Sequence, residues 1–395
     1  MLTPADNRWD YAMVGIFALL LAFMPFAYGA VEPWSELLVV AGGALLTAVF
    51  LLRVLLDESF RVRRTWLYVP IGLLLLLFVL QLAPLSKATV ASLSPNTVAT
   101  KAELLSDLDN PLETTALTFY PWETSHYLRL SLVAATVFVV AVSAFPNRHA
   151  ILRLLTVVFL VGVAQALLAL TQIVSLAKGI YWSVETKGGA VVTAGSFVNY
   201  SNFSQFINMS IGAGLALLLV RMHDRQQGRR SSGWDHVPGR PWWEDMRWLA
   251  AGLVVCAVSI LTSMSRNGAM SMTVAAVVVG TLLFMRGSLS RRGWLLAVLP
   301  LGVLFVLLLT AFNEVYARLG TLQDSRYVGF RWEMFLAMIE AWKQFPVFGT
   351  GLGTHEYVFP LFDTATTPVI AERGDNDYAQ LLEETGTVGT VLLAT

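Results

Sequence analysis

Long runs of apolar residues alternate along the chain with shorter polar stretches. Two of the clearest runs, at 67–84 and 295–312, contain no charged residue. A helix needs roughly 20 apolar residues to cross the hydrocarbon core of a bilayer. Because lipid offers no hydrogen-bond partner to an exposed backbone, each such run is expected to form an α-helix. The pattern therefore predicts an all-α, polytopic transmembrane protein.

The same pattern predicts about ten membrane spans, with a large loop before the last of them. Because the sequence ends inside an apolar run, we expect that the chain is truncated and that further spans follow Thr395. Three regions are expected: nine spans over 1–312, a large loop over 313–380, and the start of a further span over 381–395. The predicted spans lie near 11–31, 35–56, 66–85, 126–144, 151–175, 202–220, 248–264, 268–285, 294–312 and from 381 onward.

Arginine residues are concentrated in alternate loops, and this asymmetry predicts the orientation of the chain. Cytoplasmic loops of membrane proteins carry an excess of Lys and Arg. The arginine-rich loops and the N-terminus are therefore assigned to the cytoplasm, whereas the loops at 86–125, 176–201 and 313–380 are assigned to the outer side. The arginine-rich loops contain Arg8, Arg53–Arg64, Arg148–Arg153, Arg221–Arg247 and Arg286–Arg292.

Composition supports a membrane protein and argues against several other classes. Hydrophobic residues make up 56% of the chain and charged residues 14%, whereas ordinary soluble proteins carry roughly 25% charged residues. The 27 basic and 27 acidic residues balance, which gives no sign of nucleic-acid binding. The five histidines are scattered, and the one cysteine, Cys256, lies in an apolar run. Neither a metal site nor an intramolecular disulfide is therefore predicted.

Positive charge near membrane depth is the feature that most favours a functional site. Arg266 lies between two apolar runs with almost no loop, where a charge is costly unless it reaches the interface or has an anionic partner. It is therefore either an arginine that extends to the interface or an anion-binding residue in an outward cavity. A guanidinium suits phosphate because its planar fork makes paired hydrogen bonds. Arg326 and Arg331, in the large loop, either lie on a solvated face or join the same anion site.

The large loop carries two further patterns. Over Arg331–Phe345 the apolar residues recur at helical spacing, which predicts an amphipathic helix lying at the membrane surface. Downstream, Asp375, Asn376, Asp377 and Tyr378 lead into the last span. An acid at this place either caps the helix, whose N-terminus favours negative charge, or serves as a general base for a sugar hydroxyl.

Four segments carry short motifs in a fixed order. Their letters are GSFVN with a following Asn and Phe, then SRNG, then FPVFGTGLGT, then NDYAQLLEETG. Together they resemble the motifs of the O-antigen ligase and polymerase superfamily. Each motif is short, but four of them in order, with the large loop between them, are fairly specific. The segments are Gly195–Asn199 with Asn202 and Phe203, Ser265–Gly268, Phe345–Thr354 and Asn376–Gly386.

The resemblance implies a membrane glycosyltransferase with a GT-C-like fold in the bacterial inner membrane. Members of the superfamily take a glycan from undecaprenyl pyrophosphate on the periplasmic side and pass it to an acceptor hydroxyl. The acceptor is lipid A–core in ligases and another repeat unit in polymerases. Neither a metal nor a nucleotide sugar is required, and no other cofactor is expected. By motif, Arg266 and Arg331 fall on arginines that bind the pyrophosphate.

Two positions depart from the pattern of the superfamily. Its proposed base is a histidine before Asn-Asp-Tyr, and Asp375 occupies that position here. We therefore expect Asp375 and Arg266 to be the catalytic residues, while His355, which lies in the same loop but off the motif, is assigned no role. Lys187 stands in for an arginine that often precedes the Gly-Ser-Phe motif. The substrate-binding residues expected from the motifs are Arg331, Arg326, Lys187, Asn199, Asn202, Asn376 and Tyr378.

These features favour a ligase-related enzyme, with a polymerase of the same superfamily as the first alternative. Two alternatives of other classes are a transporter of a lipid-linked glycan and a non-catalytic subunit of a polysaccharide-export complex. Transporters favour internal repeats and binding sites at mid-membrane, whereas the sequence shows no repeat and its candidate site lies at the outer face. The missing histidine keeps the non-catalytic alternative open.

Overall fold

The structure is a computed structural model of the chain, and helices dominate the residues that it describes. The prediction from the apolar pattern is confirmed: the protein is an all-α, polytopic membrane protein. Among the described residues, the only strands are two antiparallel pairs of two residues each. The described residues are 6–58, 60–107, 113–144, 148–185, 190–226, 242–263, 265–285, 325–363, 371, 373–374 and 376–395.

The elements follow one another in short succession, with caps and prolines at several helix starts. Pro33 and Pro95 occupy first turns, where a missing N–H costs no hydrogen bond. The helices are α1 (Asp6–Phe26), α2 (Pro33–Leu56), α3 (Tyr68–Leu82), α4 (Lys87–Leu93), α5 (Pro95–Leu104), α6 (Pro121–Ala144), α7 (Arg148–Val174), α8 (Tyr200–Gln226), α9 (Trp242–Thr262), α10 (Arg266–Met285), α11 (Ser325–Gln344), α12 (His355–Val358) and α13 (Asp377–Ala394). The strands are β1 (Leu85–Ser86) paired with β2 (Thr114–Thr115), and β3 (Gly179–Ile180) paired with β4 (Val184–Glu185); 3-10 turns lie at Tyr28–Ala30 and Phe359–Leu361.

Five of the described helices, α1, α2, α6, α7 and α8, are long and apolar enough to cross a membrane. Three shorter apolar segments lie in α3, α9 and α10. Each of these eight helices lies on a predicted span, and α13 lies on the last one. The predicted span near 294–312 falls outside the described residues.

The chain divides into two compact units, each made of two separate stretches of sequence. The first unit comprises Met1–Phe60 and Val140–Glu314, and the second comprises Arg61–Val139 and Val315–Thr395. The helix α6 contributes residues to both units.

In the first unit, α7 packs against α1, α8 and α9. The contact between α7 and α8 is close, because a Cβ atom on Gly162 would overlap Ser210. Small residues at such crossings let helix backbones approach each other within a membrane. The apolar core of this unit includes Ala166, Ala169, Phe203, Ile207 and Ile260.

In the second unit, α13 packs against α3 and α11. The helix α11 covers most of the segment 331–345 for which the sequence predicts an amphipathic helix, although it begins earlier, at Ser325. Its buried side chains pack beside residues of the loop and of α13, and its place at the membrane surface stays a prediction. This core contains Met334, Ala337, Met338, Phe359, Ala371 and Ala379.

Candidate functional site

The four motif segments fold against each other in two pairs, one pair in each unit. In the first unit, residues 193–208 contact residues 263–268. In the second unit, residues 346–355 contact residues 383–388. Motif segments that are far apart in sequence are therefore neighbours within each unit.

The first pair is held by small hydroxyl and amide side chains. The hydroxyl groups of Ser204 and Ser265 lie 2.8 Å apart, and both residues are buried. One turn further along α8, the Asn208 amide donates to the Gly268 carbonyl at 3.0 Å. These bonds fix the start of α8 beside the start of α10.

The Gly-Ser-Phe turn of the first pair is fastened by two glutamines of α7. Gly195 has a φ of +60°, a conformation that a residue without a Cβ adopts readily. The Ser196 hydroxyl lies 2.9 Å from Gln165 Oε1 and donates to the Pro25 carbonyl at 2.5 Å. With its amide nitrogen toward the turn, Gln172 donates to the Gly195 carbonyl at 2.9 Å. We call these buried groups the first-unit network; it comprises Gln165, Gln172, Ser196, Ser204 and Ser265.

Arg266 is the first residue of α10. Ser265 caps that helix, because the Gly268 N–H donates to its hydroxyl at 3.1 Å. The free N–H groups and the dipole at such a helix start favour an anion. Its place in the fold therefore agrees with an anion-binding role for Arg266, and the role itself stays a prediction.

The other candidates in the first unit lie around the start of α8. Asn199 is exposed, and its side-chain oxygen accepts a hydrogen bond from the Ser201 N–H at 2.7 Å. Asn202 is exposed on the first turn of α8. Lys187 lies outside the described residues. Asn199 therefore has a local role in starting the helix, and substrate binding by these residues stays a prediction.

The second pair of motifs forms a tight backbone pairing. The N–H groups of Thr350 and Gly351 donate to the carbonyls of Glu383 and Glu384, each at 3.0 Å. Because backbone groups buried in an apolar protein must find partners, this pairing fixes the loop segment against α13. We call it the clasp; it comprises residues 346–355 and 383–388.

A break in α13 makes the clasp possible. Gly386 has a φ of +65° and a non-helical backbone, and a Cβ atom there would overlap the Val347 carbonyl. The break frees the next two N–H groups of the helix for partners outside it. Thr387 donates to the Pro346 carbonyl at 2.8 Å, and Val388 donates to the Val347 carbonyl at 3.2 Å.

A single glutamine of α3 joins both segments of the clasp. Gln81 is completely buried. Its amide nitrogen donates to the Phe348 carbonyl at 2.7 Å and to the Glu384 carbonyl at 2.9 Å. Its amide oxygen accepts from the Leu352 N–H at 3.2 Å. Since an unpaired amide would be costly here, these three bonds explain why an apolar helix carries a glutamine.

The loop before α6 and the first turn of α6 also donate hydrogen bonds to the clasp. The Phe119 N–H donates to the Thr350 carbonyl at 2.9 Å. The Thr124 hydroxyl, on the first turn of α6, donates to the Leu352 carbonyl at 2.9 Å. The clasp is therefore held by α3, α6 and α13 together.

Ionisable side chains are buried inside the clasp. The His355 ring nitrogen Nδ1 lies 2.7 Å from Glu383 Oε2, and these side chains are 1% and 0% exposed. The neighbouring Glu384 accepts hydrogen bonds from the Gly353 N–H at 2.8 Å, the His355 N–H at 3.3 Å and the Gln380 amide at 2.9 Å. We call this set the second-unit network; it comprises Gln81, His355, Gln380, Glu383 and Glu384.

Two atoms of the second-unit network lack a hydrogen bond. Within the part of the chain that the structure describes, His355 Nε2 and Glu383 Oε1 are buried and have no partner. An unsatisfied buried polar group costs about 1–3 kcal/mol, so such groups are rare and are often found at reactive sites. An imidazole beside a carboxylate can also hold and pass a proton. The second-unit network is therefore suited to proton chemistry.

Asp375, the predicted base, lies outside the described residues, but the residues on either side of it are described. The Gly374 N–H donates to the Gln380 side-chain oxygen at 3.0 Å. Asn376 caps α13, since its side-chain oxygen accepts from the Ala379 N–H at 3.2 Å. Through Gln380, the chain before Asp375 is connected to the second-unit network.

The remaining candidates of the second unit lie on two helices. Tyr378, in the first turn of α13, is 85% exposed. Arg326 and Arg331 belong to α11. Their part in substrate binding stays a prediction, as does that of Asn376 beyond its capping role.

Sequence reasoning missed the second-unit network. His355 directly follows one motif, and Glu383 and Glu384 lie inside another, so ionisable residues within the motifs were the available signal. The signal for Gln81 was a lone amide in an otherwise apolar run. None of these patterns predicts that the residues meet, because their separation in sequence is large.

A half-buried lysine lies beside the segment that leads to the clasp. Lys101 of α5 donates from its ammonium group to the carbonyls of Ala116 and Thr118, each at 2.6 Å. Burial lowers the pKa of Lys101 to about 8. The loop 86–125 therefore carries a half-buried amine whose pKa lies near 8.

The paired motifs and the buried ionisable cluster can be compared with known families. Residues 251–394 match the O-antigen ligase family model. The predicted resemblance to the O-antigen ligase and polymerase superfamily is thus confirmed over this segment. Comparisons with curated proteins and with solved structures find no match.

The segment that matches O-antigen ligases includes the Ser265–Gly268 motif, the whole clasp and the predicted site residues from Arg266 onward. The Gly-Ser-Phe turn and Lys187 precede it. Among the residues that the structure describes, no group of three or more His, Cys, Asp or Glu side chains is arranged to hold a metal ion. The matched segment thus contains the buried acids Glu383 and Glu384 and the predicted arginines Arg266, Arg326 and Arg331.

Proposed function

We propose that the protein is a glycosyltransferase related to O-antigen ligases, which moves a glycan from undecaprenyl pyrophosphate to an acceptor hydroxyl. The acceptor is lipid A–core or another polysaccharide acceptor. The reaction takes place at the periplasmic face of the bacterial inner membrane, and the N-terminus is cytoplasmic. The match to O-antigen ligases and the apolar helices support this proposal.

The clasp is the observation that carries the proposal. It brings a motif segment of the large loop against a motif segment of α13 and encloses His355, Glu383 and Glu384. A transporter or a scaffold needs no such enclosed acids beside a loop. A group transfer in which a hydroxyl loses its proton does need ionisable groups at this place.

The proposed reaction is a single displacement. The acceptor oxygen attacks the anomeric carbon of the glycan, the bond from that carbon to the pyrophosphate oxygen breaks, and the pyrophosphate leaves with the bonding electrons. Asp375 takes the proton of the acceptor hydroxyl. Arg266 and Arg331 stabilise the charge of the pyrophosphate through paired hydrogen bonds. Because the leaving group is already activated, positioning and charge stabilisation provide most of the catalysis.

Deletion of the gene from its host tests the function. The measurements are a gel of the surface polysaccharide and an assay of lipid-linked glycan. Loss of all polymer from the acceptor, with long lipid-linked chains accumulating, identifies a ligase. An acceptor that carries only a single repeat unit identifies a polymerase. An unchanged polysaccharide in both assays contradicts the proposal.

Arg266→Ala tests the assignment of the pyrophosphate site in the purified protein. We expect transfer to fall by about 100-fold or more, as is typical when one group that stabilises transition-state charge is removed. Arg266→Lys should retain part of the activity because it keeps the charge but loses the planar fork. Arg129→Ala, at an exposed arginine of α6, is the control. Full transfer by folded Arg266→Ala protein contradicts the assignment.

The same preparation separates the transferase from the other classes. A transporter moves lipid-linked glycan across vesicles without joining it to an acceptor. A non-catalytic subunit does neither alone. Transport without transfer points to a transporter. If an Arg266→Ala protein that is inactive in transfer restores the polysaccharide of the deletion host, the protein is a non-catalytic subunit.

A further inference from the structure

An exposed pair of tyrosines lies beside the clasp, and the proposed displacement does not use it. The ring centroids of Tyr120 and Tyr357 are 4.1 Å apart, and the ring planes are inclined by 33°. Tyr120 is 37% exposed and Tyr357 is 42% exposed. Two aromatic rings therefore form an open, adjoining surface instead of entering the core.

The backbone of the clasp holds both tyrosines in place. Phe119, the residue before Tyr120, is bonded through its N–H to the Thr350 carbonyl at 2.9 Å. The Tyr357 N–H donates to the Thr354 carbonyl at 3.0 Å. Thr350 and Thr354 both belong to the clasp. The backbone that carries the two rings is therefore fixed without a ligand, which lowers the entropy cost of binding.

Two carboxylates flank the tyrosine pair. Glu123 is half-buried on the first turn of α6, and Glu356 is exposed in α12. Burial and then the charge of Glu123 raise the pKa of Tyr357, and Glu356 acts in the same direction. Glu356 directly precedes Tyr357 in α12, and Glu123 lies three residues after Tyr120. A further aromatic side chain, Trp122, follows close to Tyr120 in sequence and is 67% exposed.

This combination of groups matches the chemistry of a sugar. A pyranose ring has an apolar face of C–H groups and a rim of hydroxyl groups. Tyrosine and tryptophan rings offer a flat apolar surface with a polar edge. Carboxylates accept strong, charge-assisted hydrogen bonds from hydroxyl groups. Neither a purely apolar ligand nor an anion would use both parts of the surface.

An aromatic belt at the membrane interface is the competing explanation, because Tyr and Trp are enriched there. That explanation accounts for Trp122, which lies at the start of α6. It does not account for the carboxylates, which the phosphate headgroups of lipids repel. Nor does an interfacial anchor require one ring from the start of α6 to meet another from α12.

We propose that Tyr120, Tyr357, Glu123 and Glu356 form a glycan-binding subsite that holds a sugar ring of the polysaccharide beside the clasp. This inference rests on the proposed function and deepens it, because it names the surface on which a sugar is held. The sugar belongs either to the transferred glycan or to the acceptor. The chemistry of recognition is the same in both cases.

Binding of free oligosaccharides to the purified, full-length protein tests the subsite. One probe is the O-chain oligosaccharide released from the host's surface polysaccharide by mild acid, and the other is the core oligosaccharide of its lipid A–core. Tighter binding of the first probe assigns the subsite to the donor, and tighter binding of the second assigns it to the acceptor. The dissociation constant is measured by titration calorimetry in detergent.

Substitution of each tyrosine separates a sugar platform from a membrane anchor. Tyr120→Leu and Tyr357→Leu keep apolar area but remove the flat ring, and each should weaken binding about tenfold, which corresponds to about 1.4 kcal/mol. Tyr120→Phe and Tyr357→Phe keep the ring and should retain most of the affinity. Tyr11→Leu, at a 57% exposed tyrosine of α1, is the control. Glu356→Gln should weaken binding without disturbing the ring pair.

Equal affinity of the leucine, phenylalanine and wild-type proteins overturns the inference, and so does a wild-type protein that binds neither probe. Thermal melting of each variant shows whether it is folded, and Glu356→Gln provides the test if a leucine variant is not. Failure here leaves transfer by the wild-type protein intact. Failure of the proposed function appears instead as binding of a probe without transfer.

Discussion

The two polar networks hold similar structures with different chemical groups. In each unit a motif segment is fastened by a buried glutamine from an apolar helix, Gln165 or Gln172 in the first and Gln81 in the second. The first-unit network is otherwise made of serine hydroxyls. The second-unit network adds a histidine and two glutamates.

The difference between the two networks indicates that ionisable side chains are not needed to hold a motif segment in place. The first-unit network demonstrates that neutral amides and hydroxyls are enough to fix a motif segment within apolar helices. Buried charges are more expensive, because desolvation can exceed the gain from pairing. We therefore expect that the second-unit network contributes to proton exchange as well as to the shape of the loop, and that the first-unit network contributes shape alone.

The largest expected effect is that of Glu384→Ala. Three donors, the N–H groups of Gly353 and His355 and the amide of Gln380, would lose their acceptor. At about 1–3 kcal/mol for each unsatisfied group, the loss of stability is at least roughly 3 kcal/mol. Thermal melting in detergent is the measurement, with Glu340→Ala at an exposed ion pair as the control. A melting temperature unchanged from wild type shows that the clasp does not depend on this acid.

A double substitution at His355 and Glu383 tests whether the ionisable pair is needed for structure or for chemistry. His355→Leu or Glu383→Leu alone should lower the free energy of unfolding by about 3 kcal/mol, because the partner is left buried and unpaired. The double variant should recover most of that stability, since an apolar pair of similar volume can replace an ion pair. Its transfer activity should nevertheless fall by about tenfold or more.

Asp375→Asn completes this experiment. The proposed function expects it to abolish transfer while leaving the melting temperature near that of wild type. If Asp375→Asn is active and His355→Asn is folded but inactive, the base is the His355–Glu383 pair. If the double leucine variant is both stable and fully active, the pair has no part in the chemistry.

A smaller effect is expected from the glutamines. Gln81→Leu removes two donated bonds and one accepted bond within the clasp and should cost about 2 kcal/mol. Gln165→Leu should cost less than about 1 kcal/mol, because the Ser196 hydroxyl, 2.9 Å from Gln165 Oε1, keeps its bond to the Pro25 carbonyl and the Gln165 amide nitrogen is buried without a partner. Parallel melting curves measure the difference. If Gln165→Leu loses more stability than Gln81→Leu, the expected difference between the two networks is wrong.

The smallest effect is a pH dependence that arises from Lys101. The pKa of an unfolded lysine has its ordinary value of 10.5, whereas burial lowers the pKa of Lys101 in the folded protein to about 8. Between these values the unfolded state binds more protons, so the free energy of unfolding should rise with pH. Lys101→Met should remove this rise, and Lys343→Met, at an exposed lysine, should keep it. If the free energy of unfolding changes with pH in the same way for wild type and Lys101→Met, the pH dependence does not arise from Lys101.

The membrane helices were predictable because their signal is local. A continuous apolar run specifies a helix in lipid whatever it packs against, and α2, α7 and α8 lie where the hydropathy pattern predicts them. The order of the four motifs also predicted the resemblance to the O-antigen ligase and polymerase superfamily, which the match over residues 251–394 confirms for that segment.

The buried cluster was not predictable, because it depends on contacts between distant residues. His355 and Glu383 are 28 positions apart, and Gln81 is 303 positions from Glu384. Sequence reasoning attached the loop chemistry to the motif position of Asp375 and left His355 without a role. The need for a positive φ at Gly386 is also invisible in an apolar run, yet the break there frees the carbonyls of Glu383 and Glu384 to pair with the loop segment.

The clasp also has a consequence for the order in which the chain is made. The loop segment 346–351 depends on partners in residues 383–388, which leave the ribosome later and must be inserted as part of α13. Until then the backbone groups of this glycine-rich segment lack the partners that they have in the folded clasp. Synthesis of α13 is therefore the event that fixes this loop segment, and chains interrupted before Glu383 should be degraded faster than longer ones.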